Sequence, residues 1–163
     1  MNKTMPLQIL SLEAAPLVTP CEPVKTFDMG LAEQLDQMFL TMKGAKGIGL
    51  AANQVGIMLS MFVMELQNGE RRDIVNPRLV SKSDKIAGFQ EGCLSLPGAF
   101  VDTGVRSEAV VIRYQDKTGA DQIESFTQVD AVCVQHEMEH LMGESFLKHL
   151  GRQKRRLLLR KHL

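Results

Sequence analysis

The segment Gln135-His136-Glu137-Met138-Glu139-His140-Leu141 sets two imidazoles four residues apart, with a carboxylate directly after the first. On a helix such residues lie one turn apart on one face, about 6 Å along the axis, so both rings can converge on one cation. Glu137 is rotated by about 100° from His136, too far round to join the pair but within reach of a water on that cation. The bland reading is two histidines satisfying hydrogen bonds inside a helix. That would bury two imidazoles and two carboxylates in an otherwise apolar segment without compensation. The pattern therefore reads as part of a divalent-metal site.

A third ligand is needed, and the positions downstream do not supply it. Gly143 fits the extended pattern H-E-x-x-H-x-x-G-x-x-H, but Phe146 stands where the last histidine belongs. Glu144 is the only acid after His140. On a continued helix it would sit roughly 9 Å along the axis from the midpoint of the histidines. His149 and His162 follow at no ligand spacing. Cysteine is the remaining choice. Cys133 shares the His136 face but comes one turn too early, so it reads as a small core residue. Cys21 lies in a proline-bracketed leader. Cys93 sits in Glu91-Gly92-Cys93-Leu94-Ser95-Leu96-Pro97-Gly98, where the glycines and proline suit a shaped strand end that presents a thiolate. Cys93, His136 and His140 then leave a fourth position open for water.

One thiolate and two neutral imidazoles leave a divalent ion with net positive charge, which lowers the pKa of a bound water. Glu137 is placed to take that proton and deliver it to a leaving nitrogen. A developing oxyanion needs donors. Gln54, in the small-residue stretch GIGLAANQVG (47–56), and the backbone N–H of Leu94 are candidates. A simple helix-to-strand turn is the competing reading of that stretch, which lacks the Lys-Ser/Thr ending of a phosphate loop.

These residues need a frame. Leu31, Leu35, Met38, Phe39 and Met42 fall at helical spacing over 27–43, with Thr26 as expected N-cap and Gly44 as terminator. Residues 58–66 and 73–80 read as strands flanking Asn68-Gly69, and 109–116 and 122–129 as strands flanking Thr118-Gly119. From about Asp130 to Leu141 apolar residues occupy nearly every side of a helical wheel, the mark of a buried helix. The closing segment 151–163 reads as a short basic helix with Leu157, Leu158 and Leu159 inward. The expected class is α+β, with mixed or antiparallel strands packed around the metal-binding helix and a short helix at the C-terminus.

The chain's 163 residues suit one domain, 1–163, with its own core. Nineteen basic residues balance nineteen acidic ones, which removes any bulk-charge argument for nucleic acid or membrane partners. No apolar run approaches the roughly 18 residues that span a bilayer. The first residues lack a signal-peptide core and, with Glu13 and Glu22, do not resemble a transit peptide. Three cysteines at no disulfide spacing point to a reducing compartment, and the cytoplasm is expected.

Taken together, GIGLAANQ (47–54), EGCLS (91–95) and QHEMEHL (135–141) resemble the three ordered motifs of the peptide deformylases. The resemblance covers most of the chain. It implies removal of formyl from N-formyl-methionyl peptides, with release of formate. It implies Fe²⁺ as native metal, replaceable by Zn²⁺, Ni²⁺ or Co²⁺. By motif match Cys93, His136 and His140 are the ligands, Glu137 is the general acid/base, and Gln54 and Leu94 polarise the formyl oxygen. Similar enzymes bind peptide as an added strand, which implies backbone contacts at Ile48, Gly49 and Gly92. Ile48 and Cys133 would help line a methionine pocket. Similar enzymes dock on the ribosome through such a basic helix, so the resemblance implies the same here, against which stands the plainer reading of a solvated cap. A monomer is expected.

Two departures stand out. Phe100 occupies a place where the family often carries an arginine that holds the substrate backbone, and Arg106 lies close to a later basic position of that region, shifted by one. Glu139 replaces a common aspartate. A peptidase is the competing hydrolase, disfavoured by the cysteine ligand and the short chain. A non-catalytic metal or redox protein, or a basic-tailed ribosome adaptor, is the competing class. A structural metal site would close with a fourth protein ligand.

Overall fold

A computed structural model describes residues 5–163; the first four residues, part of the stretch read for targeting signals, lie outside it. Helix α1 spans Met29–Gly44, and the second helix, α2, spans Gln128–Leu141. Strands β1 (Gly49–Ala51), β2 (Met61–Glu65), β3 (Arg71–Lys82), β6 (Ala109–Gln115) and β7 (Asp121–Thr127) form one antiparallel sheet in the order β1-β2-β3-β6-β7. Strands β4 (Glu91–Cys93) and β5 (Leu96–Val101) form a separate hairpin. Helix α3 spans Arg152–His162. The α+β expectation, with strands on both sides of the histidine helix, is met.

Strand β2 explains how the layers assemble. Its residues are buried on both faces, so alternate side chains enter two cores. Met61 and Val63 join Leu31, Leu35, Met38 and Met42 of α1. Phe62 and Met64 join Ala131, Cys133, Val134 and Leu141 of α2, together with Ile112 and Phe126. The sheet is thus held between α1 and α2. A third cluster gathers Cys93, Leu96 and Val101 of the hairpin with Phe146, Leu150 and the inner residues of α3.

Several local expectations are corrected. Asp28 rather than Thr26 caps α1, because its Oδ1 accepts the Leu31 N–H at 3.0 Å while the helix starts only at Met29. In α3, Leu158 and Leu159 pack inward while Leu157 is exposed. Three consecutive residues spread over about 200° of a helix and cannot share one narrow face. Strand β3 runs longer than expected, because shifts of register at Val75/Arg78 and Leu79/Ser81 let pairing with β6 continue past Pro77. Among the described residues no helix is long and apolar enough to cross a membrane.

The C-terminal end of α2 is fastened to the leader. Leu141 O accepts the Cys21 N–H at 2.8 Å, and Gly143 adopts φ +76° just beyond. A β-carbon at Gly143 would lie 2.9 Å from the Thr19 backbone. Gly143→Ala is therefore expected to lower stability by about 1–3 kcal/mol, from left-handed strain plus displacement of the leader. Urea unfolding of the variant beside the parent protein measures it; an unchanged midpoint would contradict the packing.

Candidate metal centre

The buried helix and the hairpin bring three donors together. Cys93 Sγ, His136 and His140 each offer a ligand atom, and these atoms lie within 4.8 Å of one another. His140 Nε2 is 3.3 Å from Cys93 Sγ and 3.2 Å from His136 Nε2. All three residues are buried, His140 completely. Strand β4 ends at Cys93, which points its sulfur at the helix because Glu91 and Cys93 share one strand face.

The donor set fits a divalent cation on the geometry alone. His136 Nδ1 lies 2.9 Å from Glu91 Oε1, so its proton belongs on that bond and its Nε2 lone pair faces inward. Burial, then the charges of His136 and Arg106, push His140 well below the usual imidazole range, keeping it a neutral lone-pair donor. Burial alone would also lower His136, but Glu137, Cys93 and Glu91 raise it well above its ordinary value. The negative field that favours a proton there would equally favour a cation. Inward lone pairs beside a sulfur repel one another unless positive charge lies between them. Cys133, by contrast, is outside the cluster. Burial, reinforced by Glu137 and Asp130, holds its thiol well above the normal range, so it stays protonated and packs as a core residue.

Behind the ligands runs a buried charge network that the residue patterns did not disclose. Arg106 Nε donates to Glu91 Oε2 at 2.8 Å, and its Nη2 binds Glu91 Oε1. The same guanidinium reaches Glu139 Oε2 at 2.9 Å, and Glu139 also meets His149. Burial alone would raise the Glu91 carboxyl, but Arg106 and His136 outweigh it and bring it to about 2. Arg106 thus serves the scaffold and does not line the cavity. Asn53, another residue without a sequence-based role, donates its Nδ2 to the carbonyl of His140. The signal for Glu91 was present: an acid two residues before a ligand cysteine on one buried strand.

In front of the ligands opens a cavity of about 500 Å³. Ile48, Gly49, Gln54, Gly92, Cys93, Leu94, Cys133, His136 and Glu137 all line it, so of the expected ligand, catalytic and substrate-contact residues only His140 stands back from the surface. Val129 and Val132, to which the sequence assigned no such place, add to the apolar wall beside Cys133. Gln54 Nε2 lies 3.6 Å from Cys93 Sγ and 3.1 Å from Ser95 Oγ, while its Oε1 accepts the Ala51 N–H. That tether aims the amide N–H groups at the centre. Glu137 is 4% exposed, and its Oε1 has no partner among the described residues. Burial pushes its carboxyl up to about 7, near the value that suits a group taking and returning a proton at neutral pH. Gly49 makes room for it: a β-carbon there would lie 2.7 Å from Glu137 Oε2 and 2.6 Å from Cys133 Sγ.

Glu91→Gln is expected to weaken metal retention about 10- to 100-fold, because the amide holds His136 without the charge that balances the centre. Competition against a chelator, with metal content read directly, checks this. Retention equal to that of the parent protein would remove Glu91 from the supporting role.

Residues 6–156 match the family model described as polypeptide deformylase. A peptide deformylase of Chromobacterium violaceum is 40% identical over 150 residues, covering 91% of this chain and 89% of that protein. A peptide deformylase-like protein of Agrobacterium fabrum is 39% identical over 153 residues, covering 94% and 93%. Among solved structures, a peptide deformylase from Synechococcus elongatus in complex with actinonin superposes with TM-score 0.90 at 35% identity, over 96% of this chain and 86% of that one. One from Legionella pneumophila gives TM-score 0.88 at 37% identity, over 96% and 93%.

Proposed function

The chain belongs to the polypeptide deformylase family and is accordingly a metal-dependent hydrolase that removes N-formyl groups; from that premise we propose that it acts on peptides beginning with N-formyl-methionine and works as one catalytic domain. The observation that carries this reading is the buried convergence of Cys93, His136 and His140 at the base of a cavity, beside a Glu137 oxygen that has no partner among the described residues. The products are formate and the free amine of the peptide.

A divalent ion held by Cys93 Sγ, His136 Nε2 and His140 Nε2 supplies, when bound, Lewis-acid activation of water and of the formyl carbonyl. The protein's own groups do the rest. Glu137 accepts a proton from the attacking water and returns it to the peptide nitrogen as the formyl C–N bond breaks. Its raised carboxyl suits both halves of that exchange. Gln54 Nε2 and the Leu94 backbone N–H take up the charge that develops on the formyl oxygen. Ile48, Gly49 and Gly92 offer backbone to an extended peptide lying along the cavity. Cys133, with Val129 and Val132, gives the methionine side chain an apolar wall suited to a flexible thioether. We propose Fe²⁺ as the native ion, with Zn²⁺, Ni²⁺ or Co²⁺ able to replace it. We place the enzyme in the cytoplasm, a setting that suits three free thiols, and propose that it acts as a monomer.

With anaerobically prepared Fe²⁺ protein, formyl-Met-Ala-Ser is expected to release formate without backbone cleavage. Glu137→Ala should cut turnover by about 10²- to 10⁴-fold with metal content retained. Chelation should abolish turnover and readdition restore it. Backbone cleavage without formate would favour the peptidase reading, and loss of metal in the variant would show that Glu137 supports the ion instead.

Helix α3 carries Arg152, Lys154, Arg155, Arg156, Arg160 and Lys161 with no acid, and we propose that it docks on the phosphate-rich ribosome surface. Its inner leucines pack in the third core cluster, so charge reversal is a cleaner test than truncation. Arg156→Glu with Arg160→Glu should reduce co-sedimentation with ribosomes at low salt and leave the unfolding midpoint unchanged. Unchanged pelleting would leave α3 as a solvated cap.

A further inference from the structure

The mouth of the catalytic cavity is apolar where a protein surface would ordinarily be polar. Ile48, Phe89 and Phe100 all line the cavity, yet they are 48%, 37% and 64% exposed. Single exposed apolar side chains need no explanation, but three around one opening form a patch that expects a partner. Among the described exposed residues lining the cavity, Lys46 alone carries a charge. The carboxylate of Glu91 faces the interior and is spent on Arg106 and His136.

We propose that Ile48, Phe89 and Phe100 form a collar that selects formylated peptides whose residues after the formyl-methionine are apolar. The inference rests on the deformylase reading and narrows its substrate class.

Phe100 is held for this use. It pairs with Gly92 across the β4–β5 hairpin, and a β-carbon at Gly92 would lie 2.5 Å from the ring's Cε1. The Cδ1–Cε1 edge of the ring therefore lies over Gly92, while most of the side chain stays exposed at the cavity mouth. Ala99 and Val101, its neighbours on β5, are buried, so strand alternation turns Phe100 outward. Phe89 stands in the segment before β4, two residues after Ala87, whose N–H donates to Arg106 O at 2.8 Å. Ile48 precedes β1, and its carbonyl lies 3.8 Å from Cys133 Sγ. Ile48 and Phe100 are thus tied, through a backbone contact and a strand pairing, to elements that also build the metal centre.

The size of the cavity supports a longer ligand than one side chain. At about 500 Å³ it falls among sites that enclose whole small ligands. With methionine against Cys133 and Val132, the outer volume remains for the second and third residues of the peptide. In an extended peptide successive side chains point to opposite faces, so one of these two meets the collar. An aspartate there would lose hydration against aromatic carbon, with Lys46 the one charged side chain among the described exposed lining residues.

The test uses the metal-loaded full chain and formyl-Met tripeptides with leucine or aspartate at the second or third position and alanine at the other. We expect kcat/KM to favour leucine by about tenfold or more at one of the two positions, the scale of discrimination an apolar contact supplies. Phe100→Ser should bring that ratio to within about threefold, and Phe100→Arg should turn it toward aspartate. Phe89→Ser, which leaves the Gly92 contact intact, should lower the ratio independently. Equal rates for leucine and aspartate at both positions would overturn the collar with the deformylase reading intact. A lowered Tm with an unchanged ratio in Phe100→Ser would also overturn it, leaving the ring a cover for Gly92. Should no formyl peptide release formate, the deformylase reading fails. The collar is then decided by displacement of a labelled formyl-Met-Leu-Phe peptide, where equal affinity for leucine and aspartate peptides overturns it.

Discussion

The structure depends on one buried ion pair. Glu91 stands two residues before Cys93 on β4, and its carboxylate receives both Arg106 and the Nδ1 of His136. Arg106 in turn holds Glu139, the neighbour of His140. Helix α2 supplies two donors and the hairpin supplies one, and nothing in their sequences alone brings them into register. A charge pair with about 4% of either side chain exposed does so, because neither partner can leave the other without stranding a charge in the interior. The hairpin is locked to the helix at the place where the ligands must meet.

That lock also sorts the carboxylates. Glu91 and Glu137 lie in the same interior and are shifted in opposite directions, to about 2 and about 7. Burial raises both. Glu91 is rescued by hydrogen bonds from a guanidinium and an imidazole, while Glu137 keeps one oxygen without a partner among the described residues. One carboxylate is thereby fixed as a permanent anion that orients a ligand. The other is left able to exchange a proton. Two roles arise from one residue type through the number of donors each can reach.

The outer parts of the molecule obey a different logic. The inner half of the cavity is shaped by closely packed groups such as Gly49, whose missing β-carbon leaves room for Glu137 and Cys133. The collar side chains and the outer face of α3 are exposed, so packing constrains their chemistry less than it constrains the interior. An apolar ring at the mouth and a basic helix with no acid present two different surface chemistries. The hairpin connects them, since β5 carries Phe100 and packs with α3 in the third core cluster.

Much of this was legible in the residues. The one-turn spacing of His136 and His140, the exclusion of downstream donors and the shaped segment around Cys93 were enough to choose the ligands. Local periodicity located the helices and most strands, because hydrophobic spacing is a short-range property. The N-cap at Asp28 and the outward turn of Leu157 were missed because each depends on where a helix starts or which side is covered. Arg106 was matched only to a later basic position of the region around Phe100, shifted by one, and is a buried partner of Glu91 and Glu139. Ligand identity could be read from residue type and spacing, since coordination chemistry restricts both. What only tertiary structure decided was the company each charge keeps, because burial and long-range pairing, rather than neighbours in sequence, set whether a carboxylate orients, reacts or merely holds the frame.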